Sequence, residues 1–228
     1  MVVEERFPGG HFPKCVVLQA VYWYLRYSLS YRDIEELMEE RGIQLDHATV
    51  QRWVIKYTPL IEAEFRKKKK AVGSSWRMDE TYIKIKGTWY YLYRAVDKEG
   101  NTIDFLLTKK RDTKAAKRFL GKAINHNGLP EKITIDGSAA NKAAIEEYNT
   151  DKGTSIEVKQ IKYLNNIVEQ EHRGVKRITN SILGFKSFRS ARITLNGIEI
   201  VHMLKKNQLK SQENSVKNLA QIFYDLAA

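Results

Sequence analysis

Apolar residues follow two different rhythms along this chain, and the change between them divides it. From Pro13 to Tyr27 they recur at helical spacing, with Leu18, Val21, Tyr22 and Leu25 on one stripe. Ser30 and Asp33 then stand as a capping box at the start of a short helix whose buried stripe is Ile34, Leu37 and Met38. Gly42 is a suitable terminator. Asp46 or His47 caps the next helix, in which Val50, Trp53, Val54 and Tyr57 point inward. Its outer face carries Thr49, Gln51, Arg52 and Lys56. A further helix is expected from Leu60 to Lys70, ending in the basic run Arg66 to Lys70. The small residues Ala71 to Ser75 read as a hinge.

Beyond the hinge the period falls from 3.6 to 2. Residues 77–86 alternate, with Asp79, Thr81, Ile83 and Ile85 on one face and Glu80, Lys84 and Lys86 on the wetter other face. That reading puts Asp79, not Glu80, on the core side, where a carboxylate is costly unless paired or bound to a cation. Strands are expected at Trp89–Asp97 and Thr102–Lys109, a helix at Thr113–Asn125 and a buried strand at Lys132–Asp136. A helix opening at Gly137-Ser138, a strand at Ile156–Gln160 and a last helix through Glu169 complete the pattern. The order β-β-β-α-β-α-β-α predicts an α/β domain built on a mixed five-stranded sheet with flanking helices. Four segments follow: a helical N-terminal domain at 1–70, a linker at 71–75, the sheet domain at 76–190 and C-terminal helices at 191–228.

Charge narrows the choice of partner. Thirty-nine basic residues against 27 acidic ones leave a net +12, which favours a polyanion, nucleic acid before an anionic membrane surface. The longest apolar run, Cys15 to Leu25, is too short to span a bilayer, and no signal peptide is read at the start, so the expectation is a cytosolic protein with no membrane partner. A single Cys15 excludes an internal disulfide and a multi-cysteine zinc site, and its apolar setting reads as a core thiol.

Two constellations carry candidate chemistry. The first is the pair of helices before and after Gly42, which reads either as a helix-turn-helix or as part of a plain three-helix bundle. The positive charge favours the former. Gln51 and Arg52 have hydrogen-bonding forks suited to base edges, Lys56 suits phosphate, and Arg32 and Thr49 are further candidate DNA contacts. The second is the helix around Glu169. At about 100° per residue, Asn165, Glu169, His172, Arg173 and Lys176 share one face, beside an apolar stripe of Leu164, Val168, Val175 and Ile178. By itself this could be a solvated salt-bridge face. Two upstream acids change that: Asp79 lies on the first strand and Asp136 ends the fourth, at the carboxyl edge where ligands gather in such sheets. Three carboxylates select a hard cation, Mg²⁺ or Mn²⁺, and paired ions of that kind serve phosphodiester chemistry. Asp97 and Asp104 read as surface acids, Glu171 as pointing away from the Glu169 face, and the Trp89–Tyr93 aromatics as packing and strand pairing.

The stretches SYRDIEELMEERG, DHATVQRWV, WRMDETYIKIKGTWYYLYRAVD, TIDGSA, YLNNIVEQEHRGVKR, ILGFKS and NGIEI resemble the DDE transposases of bacterial insertion sequences, specifically the insertion-sequence-six family, over almost the whole chain. The resemblance implies an RNase H-like catalytic fold and a metal-binding catalytic triad of Asp79, Asp136 and Glu169. It implies a DNA contact from Lys176 near the cleaved bond. His172 and Arg173 are further candidate DNA contacts on the same face, and His172 reads equally as a positioning group or a salt-bridge partner. The resemblance further implies binding of terminal inverted repeats, 3′-end cleavage, strand transfer into target DNA by a replicative cointegrate route, and a homodimer or larger oligomer on double-stranded DNA. The chain departs from the family pattern in the 33-residue spacing from Asp136 to Glu169, in Gly137-Ser138-Ala139 after the second acid, and in Glu171 where Asp is commoner. Competing readings are a repressor derived from an inactive transposase, and an RNase H-like nuclease or resolvase. The helix-turn-helix argues against the last.

Overall fold

The computed structural model describes residues 11–161, 165–181, 184–210 and 217–227. Residues 1–10 of the expected N-terminal domain, Tyr163 and Leu164 of the acid-bearing stretch, and positions 211–216 and 228 of the expected C-terminal helices lie outside them. The chain packs as two compact units, Met1–Lys70 with Val175–Ala228, and Ala71–Gly174.

The first unit opens with α1 (Lys14–Arg26), α2 (Tyr31–Glu39) and α3 (His47–Lys68). Ser30 and Asp33 form the expected capping box of α2, and Asp46 caps α3 through the amides of Ala48 and Thr49. Gly42 takes the left-handed conformation, at φ 73°, that lets the chain leave α2. The sequence reading breaks α3 near Pro59; the structure continues it through that residue. A proline inside a helix costs about 3 kcal/mol. Yet Val50, Val54, Tyr57, Ile61 and Phe65 run in phase across it, all buried, and each large apolar side chain contributes about 1.5–3 kcal/mol. The stripe outweighs the missing bond. Cys15, expected in the core, is exposed, because it stands in the first turn of α1, before the buried run that begins at Val17.

The second unit holds the sheet. β1 (Ser75–Ile85), β2 (Thr88–Asp97) and β3 (Thr102–Thr108) form an antiparallel meander. Then come α4 (Thr113–Asn127), β4 (Lys132–Ile135), α5 (Ala139–Lys152) and β5 (Glu157–Gln160). β4 joins β1 in parallel and β5 joins β4, giving the order β3-β2-β1-β4-β5. This mixed five-stranded sheet with flanking helices is the RNase H-like architecture that the resemblance implies. Its core gathers Trp76, Met78, Tyr93 and Ile133 from the strands with Ala116, Phe119 and Leu120 of α4 and Ile145 of α5.

α6 (Asn166–Ser181) runs across the division between the units, which falls after Gly174 rather than at residue 190. α7 (Phe188–Lys205) and α8 (Leu219–Asp225) pack with the N-terminal helices, α7 on α3 and α1, α8 on α1. Gly197 of α7 makes that approach close: a Cβ there would lie 2.6 Å from Leu25 Cδ1 and 2.9 Å from Thr58 Cγ2. Among the described residues no helix is long and apolar enough to cross a membrane.

Candidate active site

β1 and β4 run parallel and pair from Ser75 with Lys132 to Arg77 with Thr134. Asp79 lies on β1 two residues beyond the last pair, and Asp136 follows the end of β4, so both acids belong to the carboxyl edge of these neighbouring strands. Asp136 leaves β4 for α5, and its Oδ1 accepts the amide of Ser138 at 3.0 Å. Both acids are half-buried.

α6 reaches this edge from the other side of the chain. His172 Nε2 donates to Asp79 Oδ2 at 3.2 Å, and the imidazole is itself buried. Asn165, wholly buried, donates from Nδ2 to the Met78 carbonyl at 3.4 Å. Glu171 Oε2 lies 3.7 Å from Nη2 of Arg94, a fully buried guanidinium on β2 directly opposite Asp79. Three side chains of one helical segment thus fasten to β1 and β2 around Asp79.

That fastening revises the expected orientation of α6. Asn165 and His172 turn inward with Val168, whereas Glu169 and Arg173 of the same segment are exposed. Lys176, further along the helix, is exposed too. Glu171 does not face away from the sheet; it meets Arg94. Glu169 lies one helical turn before His172, so it borders the side of the helix that touches Asp79. Asp79 and Asp136 belong to one edge of the sheet, and Glu169 lies on the helix whose His172 bonds Asp79. Among the described residues no group of three or more His, Cys, Asp or Glu side chains stands close enough to hold a metal. The donor chemistry fits a hard cation all the same, since all three acids offer carboxylate oxygens and no thiol stands among them.

Glu80 corrects the face assignment of β1. It is buried, with Trp76 and Met78 on the face that α4 and α5 cover, while Asp79 is the half-open one. The period-2 reading failed here because both faces of β1 are covered at this end. Glu80 forms an ion pair with Arg111 and accepts from Asn141 Nδ2 at 3.0 Å. Burial pushes its carboxyl above the usual range; the Asn141 bond and Arg111 oppose this, and the nearby charges of Asp79 and Asp136 add to it. Arg94, Arg111 and Asn141 all escaped the sequence reading, since no local pattern marks a charged residue inside an apolar strand, a basic residue in a loop or an amide in the first turn of a helix as a partner for a distant acid.

Asp97 and Asp104, expected at the surface, are both buried. Asp97 closes the β2–β3 turn by accepting from the amides of Gly73, Glu99 and Asn101 at 2.8–3.1 Å. Asp104 is held by Lys122 Nζ at 3.0 Å and His126 Nδ1 at 2.7 Å from α4. Both are satisfied structural acids.

The other candidate DNA contacts lie in the N-terminal helices. Arg32, Arg52 and Lys56 are exposed, and Thr49 and Gln51 are half-buried. Arg52 donates to Thr49 Oγ1 at 2.7 Å, and Thr49 Oγ1 to Asp46 Oδ2 at 2.9 Å, so the first turn of α3 carries an ordered polar chain.

Residues 73–208 match the family model described as the DDE domain of IS240-type transposases. A transposase for the insertion sequence-like element IS431mec of Staphylococcus aureus is 43% identical over 211 residues, 90% of this chain and 91% of that one. The transposase for insertion sequence element IS257 in transposon Tn4003, also of Staphylococcus aureus, has the same identity and coverage. Among solved structures, the HTLV-2 integrase catalytic core domain in complex with magnesium aligns at 20% identity with a TM-score of 0.48, over 68% of this chain and 99% of that one. The chain belongs to the DDE transposases of bacterial insertion sequences, polynucleotidyl transferases of the IS240 and insertion-sequence-six group.

Proposed function

We propose that this transposase binds the terminal inverted repeats of its element through α2 and α3 and cuts and joins DNA with Asp79, Asp136 and Glu169. The observation that supports this reading is Asp79 on β1 and Asp136 just after β4, at the carboxyl edge of two paired parallel strands, with His172 of the Glu169 helix bonded to Asp79. Asp79, Asp136 and Glu169 would hold Mg²⁺, or Mn²⁺ in its place. When bound, such ions polarise the scissile phosphate and stabilise the entering and leaving oxygens.

The chain's own residues supply position and charge. His172 and Asn165 keep α6 against β1, so that Glu169 stays beside the aspartates. Arg173 and Lys176 extend the exposed side of α6 with positive charge that suits the DNA backbone near the cut. Thr49, Arg52 and Lys56 present the outer side of α3 to a major groove. Water attacks the phosphodiester at each element end and frees a 3′-hydroxyl. That hydroxyl then attacks a target phosphodiester, forming one P–O bond as the target's own 3′-oxygen leaves. Joining two ends requires two active sites, so a homodimer or larger oligomer assembles on DNA, in the cytoplasm at the nucleoid. Copies left joined at both ends would produce the replicative, cointegrate outcome.

The test is strand transfer in vitro with the element's own ends and a supercoiled target, in Mg²⁺ or EDTA. Asp79→Asn, Asp136→Asn and Glu169→Gln are each expected to abolish joining while leaving end binding intact. Joining retained by any one of them would overturn the triad. End-specific binding by the unaltered protein, with neither cleavage nor joining, would favour the inactive, repressor-like reading.

A further inference from the structure

The first unit contains a cleft of about 310 Å³ that the transposition chemistry does not use. It opens between the start of α2, the first turn of α3 and the segment leading into α7. No aspartate or glutamate lines it. Arg32 and Lys186 stand on its wall, both exposed, and neither has an acidic partner among the described residues. They lie far apart in sequence, so only the fold brings two uncompensated cations to one opening.

The interior is of a different kind. Tyr24 and Tyr31 stack with ring centroids 4.0 Å apart and planes 15° from parallel. Tyr24 and Thr194 are buried, and Gln51 adds an amide. Burial pushes both phenols upward, Tyr24 strongly, so they remain neutral donors and acceptors. An aromatic and hydroxyl-lined interior behind cationic walls suits a ligand with a planar, hydrogen-bonding body and an attached phosphate. The volume is at the lower end for small-molecule sites, the scale of one nucleotide.

We propose that this cleft receives a single unpaired nucleotide of the bound DNA, its phosphate between Arg32 and Lys186 and its base against Tyr24, Tyr31 and Gln51. This rests on reading the chain as a DNA transposase, and it places Gln51 and Arg32 around an unstacked base rather than along an intact groove. Taking a base out of a duplex costs a few kcal/mol, and least where the strand is already single. Stacking on an aromatic platform returns energy of similar size without demanding one sequence. The cleft therefore acts on frayed or nicked ends and not on continuous duplex.

The experiment uses the full chain and a fluorescein-labelled hexathymidylate with one 5-iodouracil. Binding is followed by anisotropy, and the photocrosslink is mapped by mass spectrometry. Crosslinking is expected at Tyr24 or Tyr31. Arg32→Gln with Lys186→Gln, both at exposed positions, is expected to weaken binding about tenfold and to remove that crosslink, with an unchanged melting temperature. A crosslink confined to other residues, or binding within about twofold of the unaltered protein, would overturn the proposal. Protection of the crosslink by thymidine monophosphate at concentrations equal to the hexamer would overturn the DNA source and assign a free nucleotide. Binding to a duplex carrying the terminal repeat is measured in parallel. If duplex binds and the hexamer does not crosslink in the cleft, this inference alone fails; if neither binds, the DNA-binding reading fails with it.

Discussion

Arg94 stands directly opposite Asp79 in the antiparallel register of β1 and β2, and its side chain is wholly buried. A buried guanidinium needs compensation of its own. Glu171 supplies part of that compensation at 3.7 Å. Removing it leaves more positive charge buried beside the active-site edge. Glu171→Ala is expected to lower stability by about 1–3 kcal/mol, read as a shift in the denaturant midpoint at unchanged slope. An unchanged midpoint would show that Glu171 is not part of the balance around Arg94.

His172 touches Asp79 without being one of the three acids. Groups that orient a metal-holding side chain typically change affinity or activity by about 10–100-fold when removed. His172→Ala is therefore expected to reduce strand transfer by about that factor while Asp79→Asn abolishes it. His172→Asn, which can still donate to the carboxylate, is expected to recover part of the loss. Equal activity in all three His172 forms would assign the imidazole to packing alone.

Gly197 lets α7 lie against Leu25 and Thr58. A methyl group at that position overlaps buried neighbours, Leu25 at 0% and Thr58 at 1% exposure. Gly197→Ala is expected to destabilise the protein by about 1–3 kcal/mol, despite the better helix propensity of alanine. Thermal unfolding measures it. A raised melting temperature would mean that the helices separate at no cost.

Tyr224 of α8 donates to Gln19 Oε1 at 2.6 Å, and burial pushes its phenol up to about 12. The unfolded chain loses this proton near the ordinary value of 10.0, the folded chain later. Between those two values the folded state holds more protons, so stability falls as pH rises through the window and is fully present below it. Tyr224→Phe is expected to flatten that alkaline decline, seen in urea unfolding at stepped pH. An identical decline in the variant would place the loss elsewhere.

Element order and type were legible because both periods are strong. The capping box at Ser30 and the strand that begins near Arg77 need only neighbours along the chain, and each element stands where it was expected, although the faces of that strand do not. Asp79 and Asp136 stood out for a related reason: a carboxylate inside a strand, or just past the end of an apolar one, is conspicuous. Pro59 was misleading, since its local penalty is visible and the packing that overrides it is not.

The sequence by itself determined which residues form helices and strands, the acids available for chemistry and the positive charge that suits DNA. Those properties depend on backbone geometry and side-chain chemistry within a few residues. Tertiary structure alone decided that Glu80 is buried and Asp79 half-open, that Arg94 faces Asp79, that Glu171 turns toward the sheet and that Arg32 meets Lys186 across a cleft. Each depends on which element covers a face or crosses a register. That choice is made by the burial of apolar area summed over distant segments, a quantity no local window contains.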